Sequence, residues 1–158
     1  MRPEEYNINE IYQRQVDMVY RVCLSYMKNK ADTEDCVSDT FMNLIKSQPQ
    51  FNDNEHEKAW LIRAASNVCK NRLKHWSRSN VDITEHECEN YSDSRDNQES
   101  RDILDAVRNL PNDCKTAVYL YYYEGYKMAE IAGILQKSES TVRNRLRKAK
   151  GLLKEALS

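Results

Sequence analysis

The sequence predicts an all-α protein built as two small helical domains. Three observations point there. Glycine and proline number three each in 158 residues, so chain breakers are scarce. Long β-branched alternations are absent. Apolar residues recur instead at i, i+3, i+4 and i+7, the period of a helix with one buried face. One stretch, 77–100, lacks that pattern and is rich in Ser, Asp, Asn and Glu. It cannot bury enough apolar surface to offset the entropy of ordering, so it reads as a flexible acidic linker. A first domain over 1–76 and a second over 101–158 follow.

The first helix is expected from Asn7 to Met27, with Ile8, Tyr12, Val16, Val19, Cys23 and Met27 along one side. A second spans Asp32 to Ser47, with Val37, Phe41 and Leu44 or Ile45 inward. Its first turn holds Asp32, Glu34 and Asp35, where the helix dipole favours negative charge. Pro49 and the run Asn52-Asp53-Asn54 mark a loop. A third long helix runs from Glu55 to Trp76, with Leu61, Ala65, Val68 and Leu73 (or Trp76) inward. Arg63, Asn67, Lys70, Asn71 and Lys74 point mostly outward, and Arg63 could pair within its own domain. Trp60 keeps helical spacing and reads as core, whereas Trp76 suits either a domain edge or stacking on nucleic acid. The second domain should hold four helices, over 101–109, 112–123, 127–134 and 139–155. The tyrosines at 119, 121, 122 and 123 span too many faces to form one site, so some must be core and some exposed.

The last two of these helices carry the chemistry. Met128, Ile131, Ala132 and Leu135 form one apolar stripe, and the polar break Gln136-Lys137-Ser138 follows. Ser138 is placed to cap the next helix with its hydroxyl. In that helix Val142, Leu146, Ala149 and Leu153 share one face, while Ser140, Arg143, Asn144 and Arg147 share another. This is the division of a helix-turn-helix, whose second helix buries one side and offers the other to the major groove. Arg and Asn are the side chains that bond guanine and adenine edges bidentately. From Lys137 to Lys154 seven Lys/Arg face one Glu, net +6, which supplies a sequence-independent attraction to phosphate.

The overall charge of −1 hides this segregation. Lys58 to Ser77 holds five basic residues and no acidic ones, whereas Arg78 to Asp102 is net −5. Five cysteines (23, 36, 69, 88 and 114) include no C-x-x-C pair and mostly sit in helical patterns, as small apolar residues do. His86-x-Cys88 offers two ligands with no second pair nearby, short of a zinc site, so no metal or cofactor is expected. No nucleophile–base arrangement and no phosphate loop is readable, so catalysis is not expected. No signal peptide or membrane-spanning apolar run is apparent, and a reducing cytoplasm fits.

Two segments together resemble one family. TEDCVSDTFMNLI, followed after a loop by AWLIRAASNVCKNRLK, is similar to region 2 of bacterial sigma factors. LPNDCKTAVYLYYYEGYKMAEIAGILQKSESTVRNRLRKAKGLL is similar to region 4. A short chain with only a linker between them resembles the extracytoplasmic-function (ECF) group. The resemblance implies a dissociable subunit that binds core RNA polymerase through β′ and β and directs transcription initiation. It implies that Glu34, Asp35, Asp39 and Thr40 lie in the helix docking on the β′ coiled coil, with neighbouring Phe41 packing in the core. The loop 48–57, including Asn52, Asp53 and Asn54, would capture an unstacked base of the −10 element. Asn67, Lys70, Asn71 and Lys74 would lie along −10 DNA. Ser140, Thr141, Arg143, Asn144, Arg147 and Lys148 would read the −35 element. The acidic linker would thread towards the RNA exit path, and an anti-sigma partner is commonly found in this group.

The chain departs from the family pattern at Ser38, where Gln is common, and at Asn71, where Asp is. Arg is common at the positions of Lys74 and Lys115. Gln136 stands at the usual turn glycine and tolerates a left-handed backbone poorly, so a turn different in detail is expected. Two rival readings are a free-standing helix-turn-helix regulator with an N-terminal sensor or dimerisation domain, and a decoy that binds polymerase without promoter function. The regulator would need a pocket in its first domain rather than a second basic face.

Overall fold

The structure is a computed structural model that describes residues 7–79 and 98–158. The expected linker therefore lies mostly outside the described residues, as do His86 and Cys88. The described chain forms α1 (Ile8–Leu24), α2 (Lys30–Ser47), α3 (Asn54–Ser79), α4 (Gln98–Arg108), α5 (Asn112–Val118), α6 (Met128–Leu135) and α7 (Glu139–Leu157). A π-helical turn, Tyr119–Tyr123, continues α5. No strand occurs among the described residues. No described helix is long and apolar enough to cross a membrane.

Side-chain caps set where several helices begin. The Asn7 amide oxygen accepts from the Glu10 N–H, and that of Asn29 accepts from the Asp32 N–H at 2.8 Å. Helix α1 ends at Leu24, short of the expected Met27. Tyr26 and Met27 instead turn inward and are buried. The buried face of α1 is also rotated from the expected stripe. Ile11, Gln15, Met18, Val19, Val22 and Cys23 are buried, whereas Tyr12 is 43 % exposed. In α2, Leu44 is inward and Ile45 exposed. Three cysteines, Cys23, Cys36 and Cys69, bring one buried thiol from each helix to the centre of this bundle.

A charged group is buried beneath the bundle's rim. The Glu57 side chain is 4 % exposed and accepts from Arg14 at 2.7 and 3.1 Å and from Gln15 at 2.7 Å. Burial alone would raise its pKa. The hydrogen bonds from Arg14 and Gln15 and the Arg14 charge outweigh that, so it lies below the ordinary carboxylate value.

In the second half α5, the π turn, α6 and α7 enclose Leu120, Ile131, Val142, Leu146 and Ala149. The π turn explains the tyrosine run. Its i→i−5 bond, Glu124 N–H to Tyr119 C=O, adds a residue to the turn. Tyr119 stays buried while Tyr121, Tyr122 and Tyr123 are exposed. Gln136 corrects the expectation of an altered turn. It adopts the left-handed conformation itself, φ 58° and ψ 45°, and its N–H bonds back to Gly133. The two halves are not apart: α3 packs on α5 and α6, and one apolar core runs through both.

Two stability predictions follow from these sites. Glu57→Gln should cost about 1–3 kcal/mol at neutral pH by removing the charge of a buried carboxylate that accepts from Arg14 and Gln15. Because the folded pKa of Glu57 is depressed, its contribution is complete above the unfolded value. It is lost as pH falls through the folded one, so the variant's melting temperature should depend less on pH below about 4.5. Gln136→Gly should raise stability by about 0.5–1 kcal/mol, since glycine enters the left-handed region without the Cβ clash. Denaturant unfolding that shows no gain would remove the strain argument.

Candidate nucleic-acid interface

Helix α7 is positioned by its buried face and its cap. Val142, Leu146 and Ala149 are buried against the domain, with Leu153 half-buried. The Ser138 hydroxyl accepts from the Thr141 N–H at 3.1 Å, so the sequence-predicted cap forms. Thr141 and Ser140 are both drawn into it, their hydroxyls lying 2.9 and 3.2 Å from that of Ser138. The opposite side carries Ser140, Arg143, Asn144, Arg147 and Lys148. All are exposed except half-buried Thr141 beside them. Arg145, outside the predicted set, is half-buried and reaches Asp113 at 3.9 Å.

Helix α3 presents the second basic face. Asn67, Asn71 and Lys74 are exposed. Lys70 is half-buried where α3 meets the start of α5. Its pKa is lowered, first by burial and then by the Arg145 charge, against which Asp113 acts. A cleft of about 420 Å³ opens beside this face, between the end of α2 and the turn before α7. Its walls include Asn43, Trp60, Arg63, Asn67, Asn71 and Gln136. Trp60 is thus a half-buried wall rather than core. Arg63 does not pair within its own half: it donates to the Ile134 carbonyl at 2.6 Å, across to α6. The stripe of Asn67, Asn71 and Lys74 continues backwards through Arg63 and Trp60 at the same spacing, a signal the sequence held.

The loop before α3 is organised by its own polar groups. Asp53 Oδ1 accepts from the His56 N–H at 2.8 Å, and the Asn52 N–H donates to His56 Nδ1 at 3.1 Å. Phe51 lies edge-on to His56 and Trp60, with ring centres 5.3 and 6.2 Å away. Asn52, Asp53 and Asn54 remain exposed above these rings. The sequence reading did not single out Phe51 or His56.

On α2, Glu34, Asp35 and Asp39 are exposed. Arg72 of α3 reaches Asp39 at 2.6 Å and Asp35 at 3.4 Å, which holds these carboxylates in place. Thr40, expected beside them, is not at the surface. It is fully buried, its hydroxyl donating to the Cys36 carbonyl at 2.7 Å, so it offers nothing to a partner. Phe41 is core, as the spacing indicated, with its ring 4.9 Å from that of Tyr12.

These features define a helical protein with a helix-turn-helix in one half and an asparagine–lysine face in the other. Comparison with known proteins places it further. The family model for Sigma-70 region 2 matches residues 11–79, and that for Sigma-70, region 4 matches residues 100–153. The chain is 30 % identical over 144 residues to the ECF RNA polymerase sigma-E factor of Haemophilus influenzae, covering 82 % of this chain and 76 % of that protein. It is 30 % identical over 152 residues to the ECF RNA polymerase sigma factor SigM of Bacillus subtilis, covering 93 % of each. In fold it resembles the sigma factor RpoE of Bartonella quintana, solved with the anti-sigma factor NepR. The TM-score is 0.77 at 20 % identity, over 97 % of this chain and 98 % of that one. The chain belongs to the ECF sigma factors, proteins that direct the initiation of transcription. The free-standing regulator is not favoured, because the first half matches a sigma region and not a sensor.

Proposed function

We propose that this sigma factor divides promoter recognition between its halves. Residues 101–158 read the −35 duplex through Ser140, Thr141, Arg143, Asn144, Arg147 and Lys148. Residues 1–76 bind core RNA polymerase and the melted −10 strand, and 77–100 tether the two. The observation that carries this reading is α7 itself. Arg143, Asn144, Arg147 and Lys148 stand exposed on one side of a helix whose other side is buried in its own domain. Base edges are then read by Arg143 and Asn144, while Lys148 adds a phosphate contact.

The −10 strand runs over Asn67, Lys70, Asn71 and Lys74, and an unstacked base enters beside Asn52, Asp53 and Asn54. The cleft next to Trp60 supports this, since an aromatic wall with amide groups suits a base. Glu34, Asp35 and Asp39 face the β′ subunit, supported by their exposure and, for Asp35 and Asp39, by their pairing with Arg72. The protein works in the cytoplasm as a DNA-binding subunit and performs no catalysis of its own. An anti-sigma factor is a further partner, as for the Bartonella quintana relative solved with one.

Co-elution of the purified chain with core polymerase on a sizing column tests the subunit role. A stoichiometric complex is expected; tight duplex binding with no complex would overturn it. Arg143→Ala should cost about 1–3 kcal/mol at one base pair of the −35 site and relax discrimination there. Lys148→Ala should weaken binding evenly across sequences and reduce the salt slope by about one. Transcription in vitro from wild-type and mutated −35 sites reads both, and unchanged discrimination by Arg143→Ala would remove it from the base-reading set.

A further inference from the structure

The loop that carries Asn52 and Asp53 into α3 is short and fixed at both ends. Helix α2 closes on Gln48, which is left-handed at φ 42° and ψ 56° and bonds its N–H to the Leu44 carbonyl at 2.8 Å. Helix α3 begins at Asn54. Residues 49–53 make the whole connection. A small change in their backbone therefore moves every side chain offered to a base.

His56 controls that backbone from the first turn of α3. Its N–H donates to Asp53 Oδ1 at 2.8 Å, the bond of an N-cap. Its ring returns a second bond, Nδ1 accepting from the Asn52 N–H at 3.1 Å. The two bonds are reciprocal, as in a capping box. Here the returning side chain reaches one residue further out, to Asn52 rather than to the cap residue itself. A backbone N–H can only donate. Nδ1 must therefore be without a proton, which leaves the ring proton of the neutral imidazole on Nε2.

The same ring locates Phe51. The Phe51 and His56 ring centres are 5.3 Å apart at 86°, and those of Phe51 and Trp60 are 6.2 Å apart at 64°, both edge-to-face. Trp60 is a wall of the cleft that Asn67 and Asn71 also line. His56 is half-buried, whereas Asn52, Asp53 and Asn54 are exposed. One side chain thus joins the exposed tip of the loop to the aromatic wall of the cleft.

We infer that His56 is the positioning residue for base capture. In its Nε2–H form it holds Asn52 and Phe51 so that the loop is preset to receive an unstacked base of single-stranded DNA. The inference rests on the −10 reading proposed above. His56 acts through Asn52, whose amide offers both a donor and an acceptor to a base edge. A preset loop loses little freedom on binding, whereas a loose one must be ordered at that moment. Removing the ring should weaken capture about tenfold, the scale of ordering one backbone residue. It should also blur the base preference at the captured position and leave −35 reading intact.

The test uses the full chain bound to core polymerase. The probe is a pool of promoter fragments whose non-template strand is single-stranded and randomised across the −10 element. Sequencing the bound fraction gives the preference at each position. The wild-type complex should select one base at the captured position. His56→Ala should bind the pool about tenfold more weakly and lose most of that selection. His56→Asn should restore both, because its amide oxygen takes the place of Nδ1 as acceptor. His56→Leu keeps bulk against Phe51 but has no acceptor, so it should fail as alanine does. It decides alone if a thermal melt finds His56→Ala unfolded. NMR of the free chain should find Nδ1 unprotonated, with the Asn52 amide protected from exchange in wild type and His56→Asn and unprotected in His56→Leu. Selection retained by His56→Leu, selection not repaired by His56→Asn, or an unprotected Asn52 amide in wild type would each overturn the role of His56. A wild-type complex with no preference anywhere in the −10 element would strike the proposed function itself.

Discussion

Helix α3 has three different neighbours around one circumference, and the rest of the molecule is arranged by that demand. Leu61, Ala65 and Cys69 close the first bundle against α1 and α2. A second side, with Lys58, Arg63 and Ser66, receives the other half of the chain. A third side leaves Asn67, Asn71 and Lys74 to solvent. A helix that packs on one partner needs one apolar stripe. A helix that packs on two and keeps a free face must mix small, polar and apolar residues, as α3 does. Its polar contacts to the second half, through Lys58, Arg63 and Ser66, lie beside the apolar core that the two halves share.

The same partition governs charge. A net charge of −1 would give a protein little attraction to a polyanion. Segregation changes this, because the field near a surface follows local charge within about a Debye length. Lys70, at the edge of the α3 face, lies near half-buried Arg145 of α7 and feels its charge as repulsion. Asp113 sits between the two elements and offsets part of it. Bringing like charges together is unfavourable in itself, and oppositely charged pairs elsewhere between the halves offset it. Lys58, Glu124 and Arg21 supply them at the other end of the interface.

Local periodicity made the helices, the cap at Ser138 and the exposed side of α7 legible, because each depends on residues a few positions apart. What it missed depends on distance or on local chemistry that hides residue type. The face of α1 was read from a stripe at steps of four and three, but the helix is covered on more than one side, so Ile11, Gln15 and Val22 are buried too. Thr40 looks polar, yet inside a helix its hydroxyl can bond the preceding turn and vanish into the core. Gln136 was expected to avoid the left-handed region, but the C-terminus of α6 takes that conformation there all the same. Lys58 and Glu124 carry no signal in sequence. They are separated by 66 positions and look like two ordinary surface charges.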